Sequence, residues 1–161
     1  MAQIAPTKGN LMAAKNTLRL SHQGYEMLDK KRNILIREMM ALIDEAKTIE
    51  EKIETTFSDA YHALESANIM MGCDTVMDLA HSAAVEEKVQ INLRSVMGVE
   101  LPMTKLSQKH DKPSYSFYET TSAFDETFVK FSDVKRLTVR LAEIENSVYR
   151  LAMGIKKTQK R

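Results

Sequence analysis

Residues 7–71 read TKGNLMAAKNTLRLSHQGYEMLDKKRNILIREMMALIDEAKTIEEKIETTFSDAYHALESANIMM, with no proline among them. Leu11, Ala14, Leu18, Tyr25, Leu28, Leu35, Met39, Leu42, Ala46, Ile49 and Ile53 recur on alternating steps of three and four, so they share one stripe of a helix. At a rise of about 1.5 Å per residue, a helix of this length is on the order of 100 Å long, several times the width of an ordinary domain. The spacing therefore predicts a rod. Thr7 is the expected N-cap, with Pro6 holding the preceding chain out of the helix. Ser21 and Arg32 interrupt the stripe. Polar residues in a seam restrict its register and its choice of partner, unless the arginine snorkels to the rim. Beyond Ile53 the stripe continues through Phe57, Ala60, Leu64, Ala67 and Met71 after one extra step of four. Such a stutter predicts local straightening of the coil between Ile53 and Phe57.

Composition agrees with a few long elements. In 161 residues there are five Gly, three Pro and one Cys, so turns are few and an intrachain disulfide is excluded. The lone Cys73 fits a reducing compartment. A net charge of +1 argues against nucleic acid as a partner. Residues 1–10 lack a signal-peptide core and no run of 18 apolar residues occurs, so the expectation is a soluble, cytoplasmic chain with no direct membrane insertion.

Past Met71, Gly72 is the expected left-handed cap, and Asp74 the expected cap of a short helical segment through Val76, Leu79, Ala80, Ala83 and Ala84. The period then changes to two. Val89, Ile91 and Leu93 alternate with polar residues, as do Val99, Leu101 and Met103 after Gly98, and Tyr115 and Phe117 after a turn-prone stretch. These runs predict a small β-hairpin with two open pairings. Met97-Gly98 is a weaker turn than Asn-Gly, so pairing of the first run with 115–120 is favoured over pairing with 99–103. From Ser122 the helical period returns in Phe124, Phe128, Phe131, Val134, Leu137, Leu141, Ile144, Val148, Leu151 and Ile155. The fold class expected is mainly α: a long antiparallel two-helix coiled coil with a small head, containing the hairpin, at the turn-around end. Its parts are an N-terminal coiled-coil helix (1–71), the head (72–121) and a C-terminal coiled-coil helix that is incomplete (122–161).

Antiparallel pairing of residues near 70 with residues near 122 sets Arg161 opposite about residue 31. The seam from Leu11 to Leu28 then has no partner in the sequence. Such a seam is expected to be bare, disordered or covered by something else, and the chain is expected to be a fragment. Charge is unevenly spread. Residues 1–43 carry seven Lys/Arg against three Asp/Glu, residues 44–87 two against eleven, and residues 122–161 nine against five. Both basic segments fall towards the termini, and a positive shaft end complements a negative partner surface.

Motifs for chemistry are few. Thr7-Lys8-Gly9-Asn10 lacks the spacing of a phosphate loop. Asp78 and His81 stand one helical turn apart near Cys73 without a closed ligand set, and Glu50-Glu51 and Glu86-Glu87 read as solvated helix surface. Lys30-Lys31-Arg32 lacks interleaved aromatics. The reading is a non-catalytic protein with no metal and no cofactor.

Pro6-Thr7-Lys8-Gly9-Asn10-Leu11, followed by Leu18, Gly24, Leu28, Asp29, Lys31 and Arg32, resembles the opening of the D subunits of the archaeal/vacuolar-type (A/V-type) rotary ATPases. Arg94-Ser95-Val96-Met97-Gly98-Val99-Glu100 and Val148-Tyr149-Arg150-Leu151 through Lys156-Lys157-Thr158-Gln159-Lys160-Arg161 are similar to two further blocks of that family, in the same order. The resemblance implies a C-terminal helix continuing past Arg161 and a non-catalytic rotor. In that family a central-stalk shaft is inserted into the catalytic ring of A and B subunits, with the F subunit beside it and its lower end in the C or d socket protein above the membrane rotor ring. It couples ATP hydrolysis or synthesis to proton or sodium translocation at the membrane periphery. By position, Lys8, Lys15, Arg19, Lys156, Lys157, Lys160 and Arg161 are assigned to the shaft end facing the ring. By resemblance, Val89, Ile91, Leu93, Val99, Leu101, Tyr115 and Phe117 are assigned to a partner contact on the head. Periodicity alone equally fits a coiled-coil scaffold or adaptor that spaces two partners.

Overall fold

A computed structural model describes residues 5–81, 89–106, 115–118 and 120–160. Helix α1 runs from Lys8 to Met71, 64 residues or about 96 Å. Thr7 caps it as expected: its backbone is extended, and its hydroxyl oxygen accepts the Asn10 N–H at 3.3 Å. At the far end the Gly72 N–H bonds to the Asn68 carbonyl. Gly72 has the positive φ that suits glycine, but its ψ of 146° lies outside the left-handed helical region expected of it. The chain thus turns directly into helix α2 (Cys73–His81), with the Gly72 carbonyl taking the Val76 N–H and Asp74 inside the first turn instead of at the cap. The expected helical residues Ala83 and Ala84 lie outside the described residues.

Helix α3 (Ser122–Gln159) returns antiparallel to α1. Tyr61 meets Phe131 edge-on at 5.7 Å, Arg140 reaches Glu45, and Leu35 packs with Leu151 and Ile155. Near the end of α3, Thr158 and Gln159 share a cleft with Leu28 and Arg32, as the antiparallel pairing expects. Every apolar residue of the α3 stripe is buried or half-buried, and so is the α1 stripe from Leu28 to Met71, across the stutter. Up the shaft from there the stripe is helical and bare: Leu18 is 72% exposed and Tyr25 70%.

Strands β1 (Val89–Val96) and β2 (Val99–Leu106) form a two-stranded antiparallel hairpin with Val96 opposite Val99. This corrects the favoured pairing with 115–120. The turn is Met97-Gly98 after all, with φ of 49° and 79°, the two positive values that a tight two-residue hairpin needs. Tertiary packing overrides the weak turn chemistry, because the residues flanking it, Val96 and Val99, pack on the core made by Leu35, Leu101, Leu151 and Ile155. Tyr115 forms no strand. It is buried with Ala67, Val76 and Phe124 in a second core near the turn-around end. The hairpin also lies back along the shaft instead of projecting beyond it. Val99 touches Gly154 and Thr104 touches Glu143: five strand residues and eleven helix residues both span about 16 Å, so β2 runs antiparallel alongside α3.

Candidate functional site: a hairpin-braced shaft and its exposed surfaces

The hairpin binds both helices at one level of the shaft. Leu101, 2% exposed, inserts between α1 and α3. Beside it Val99 fills the notch left by Gly154, where an added Cβ would sit 2.8 Å from the valine methyl. Polar contacts continue the brace. The Glu143 carboxylate, 7% exposed, accepts the Thr104 N–H and hydroxyl, each at 2.7 Å, and its other oxygen accepts from Arg140. Arg140 also donates to Glu45 on α1 at 2.7 Å. That hydrogen bond, aided by the charges of Glu143 and Glu45 and opposed by burial, holds the guanidinium above its ordinary pKa. Arg94 on β1 pairs with Glu38 on α1, and Arg150 donates to the Glu100 carbonyl at 3.1 Å. Two acids from α1, one from α3, an arginine from β1 and backbone groups of β2 thus take part in contacts that tie four elements together.

A pattern that pairs a long N-terminal helix with a C-terminal helix and braces them with a hairpin invites comparison with known families. The family model for the ATP synthase D subunit matches residues 10–161. The chain belongs to that family. Similar curated proteins include the V-type ATP synthase D subunit of Thermotoga neapolitana, 41% identical over 98% of this chain and 78% of its own length. The A-type ATP synthase D subunit of Pyrococcus furiosus is 31% identical over 99% and 76%, and that of Methanobrevibacter smithii 34% identical over 98% and 70%.

Within this family member the residues expected at the shaft end form two groups, not one. Lys8, Lys15 and Arg19 are exposed on the bare part of α1, Lys15 and Arg19 one turn apart. Lys156, Lys157 and Lys160 are exposed at the end of α3, beside Met153 and Gly154. Since α3 ends level with Leu28 and Arg32, Lys8 lies about 30 Å further up the rod. Arg161 lies outside the described residues.

Residues expected at the head contact divide by exposure. Val89, Ile91, Leu93 and Phe117 are exposed, whereas Val99 is half-buried and Leu101 and Tyr115 are buried in the chain's own cores. Tyr115 donates to Asp125 at 2.8 Å; burial first, then that carboxylate, pushes its phenol well above the ordinary value.

Sequence reasoning misses Glu143, Thr104 and Gly154. Arg140 and Glu143 look like an ordinary helix-surface pair, and no local signal distinguishes them from one. Gly154 is no clearer, since Gly24 is equally isolated in a helical pattern and an added Cβ there meets nothing within 4 Å. Among the described residues no three His, Cys, Asp or Glu are placed to hold a metal ion, and no helix is long and apolar enough to cross a membrane.

Proposed function

We propose that this chain is the central-stalk rotor shaft of a rotary ATPase, transmitting torque between a ring of catalytic A and B subunits and an ion-translocating membrane sector, without a catalytic site of its own. The observation that supports this reading is the braced pair. One continuous helix of 64 residues is clamped to α3 by the apolar contacts of Leu101 and by the Glu143–Arg140–Glu45 network. Two helices joined at several levels resist twisting better than one, and torsional stiffness is what a drive shaft requires. In this proposal the exposed lysines and Arg19 face the catalytic ring. The exposed residues of the hairpin meet the F subunit, and the turn-around end, with Ile69, Met70 and Met77 uncovered, seats in the socket protein at the membrane periphery.

Cys73 is the single cysteine of the chain and is exposed at the turn-around end, so it takes a bead through a thiol linkage. With the assembled ring fixed to a surface, ATP should drive stepwise rotation of that bead in one direction. A motionless bead on a ring that hydrolyses ATP would show a scaffold instead.

A further inference from the structure

We infer that β1 is a docking edge to which another protein of the complex adds a β-strand. This rests on the chain's place in that complex. With Val96 opposite Val99 across a two-residue turn, the residues at 90, 92, 94 and 96 bond inward to β2, and Val89, Ile91, Leu93 and Ser95 direct their N–H and C=O groups away from the hairpin. On β2 the equivalent edge faces α3, and at three of its outward positions a group is engaged or a donor is missing. The Glu100 carbonyl accepts from Arg150, Pro102 has no N–H, and the Thr104 N–H goes to Glu143. No such closure exists on β1, where among the described residues none of the outward groups has a partner.

The side chains at those positions share one face of the hairpin. Ile91 is 65% exposed and Leu93 58%, and together with Val89 they form an apolar row on one face. Edge strands in soluble proteins are normally guarded by lysine, proline or a bulge. β1 has none of these, and its only charge, Arg94, is engaged by Glu38. In a chain with 28% charged residues, the uncharged run Val89–Leu93 is complementary to an uncharged extended strand with alternating apolar residues. A five-residue strand alone buries far less than the roughly 1,200 Å² of a stable interface. The occupant is therefore the edge strand of a folded protein that also touches the shaft.

Residue-resolved amide exchange tests this on the chain alone and in the complex assembled with the other non-membrane components. Alone, the Ile91, Leu93 and Ser95 amides should exchange fast while Gln90, Asn92 and Arg94 are protected. In the complex the first set should slow by roughly tenfold or more, removing the alternation. Ile91→Pro deletes one outward N–H and leaves the hairpin's own ladder intact. It should weaken assembly by roughly tenfold, with Ile91→Thr much closer to the parent. Unchanged alternation in an assembled, ATP-hydrolysing complex would overturn strand addition and leave the shaft reading standing. Protection already present in the isolated chain, with a doubled mass, would assign the edge to a second copy and overturn it too. Failure to assemble at all would overturn both readings.

Discussion

At the scale of single residues the brace depends on fit. An alanine at 154 gains about 1 kcal/mol of helix propensity over glycine but drives its methyl into Val99, and overpacking of this kind costs on the order of 1–3 kcal/mol. Gly154→Ala should therefore destabilise the chain in denaturant unfolding, and the same substitution in a Val99→Ala background should stabilise it. Equal effects in the two backgrounds would exclude the contact. Tyr115 offers a pH test. Its folded pKa is raised, so at high pH the unfolded chain releases the phenolic proton first. The contribution of Tyr115 is complete below the ordinary value of 10.0 and declines as pH rises above it. Melting followed from pH 8 upward should show a steeper alkaline loss in the parent than in Tyr115→Phe. Legibility is poorest at this scale. The resemblance assigns Leu101 and Tyr115 to a partner contact, but a resemblance carries over a segment and not what covers each side chain, and both are buried in the chain's own cores.

At the scale of elements, both long helices are legible because their apolar period persists over many turns, long enough to outweigh isolated exceptions such as Ser21 and Arg32. Arg32 is half-buried and held by Asp29 at 2.8 Å, so a polar place on the stripe is accommodated by a neighbour one turn away. The hairpin's existence is legible too, but its pairing is not. Turn propensity favours another partner, whereas burial of Val96, Val99 and Leu101 against α1 and α3 lies beyond any local signal. Met97 consequently occupies positive φ, where side chains other than Asn and Asp are disfavoured by roughly 1–2 kcal/mol. Met97→Asn should raise stability by about 1 kcal/mol, read from the denaturation midpoint at constant slope.

At the scale of the whole molecule, the bare seam of α1 and the two lysine groups make one surface problem. Under the rotor reading, reversing Lys156, Lys157 and Lys160 together with Lys8, Lys15 and Arg19 should lower the number of ions moved per ATP in proteoliposomes. The defect should be greatest at low salt, where screening is weakest. An unchanged ratio would remove these residues from the ring contact. By itself the sequence determined that the chain is a two-helix rod, which helix faces meet, and which residues of α1 lie opposite given turns of α3, because these follow from period and residue count. Tertiary structure alone decided that the hairpin lies back along the shaft, that Glu143 is buried beneath it, and that the outer edge of β2 faces α3 while that of β1 is open. Those outcomes depend on contacts between residues some 40 to 60 positions apart, such as Thr104 with Glu143 and Arg94 with Glu38, and no local periodicity encodes such contacts.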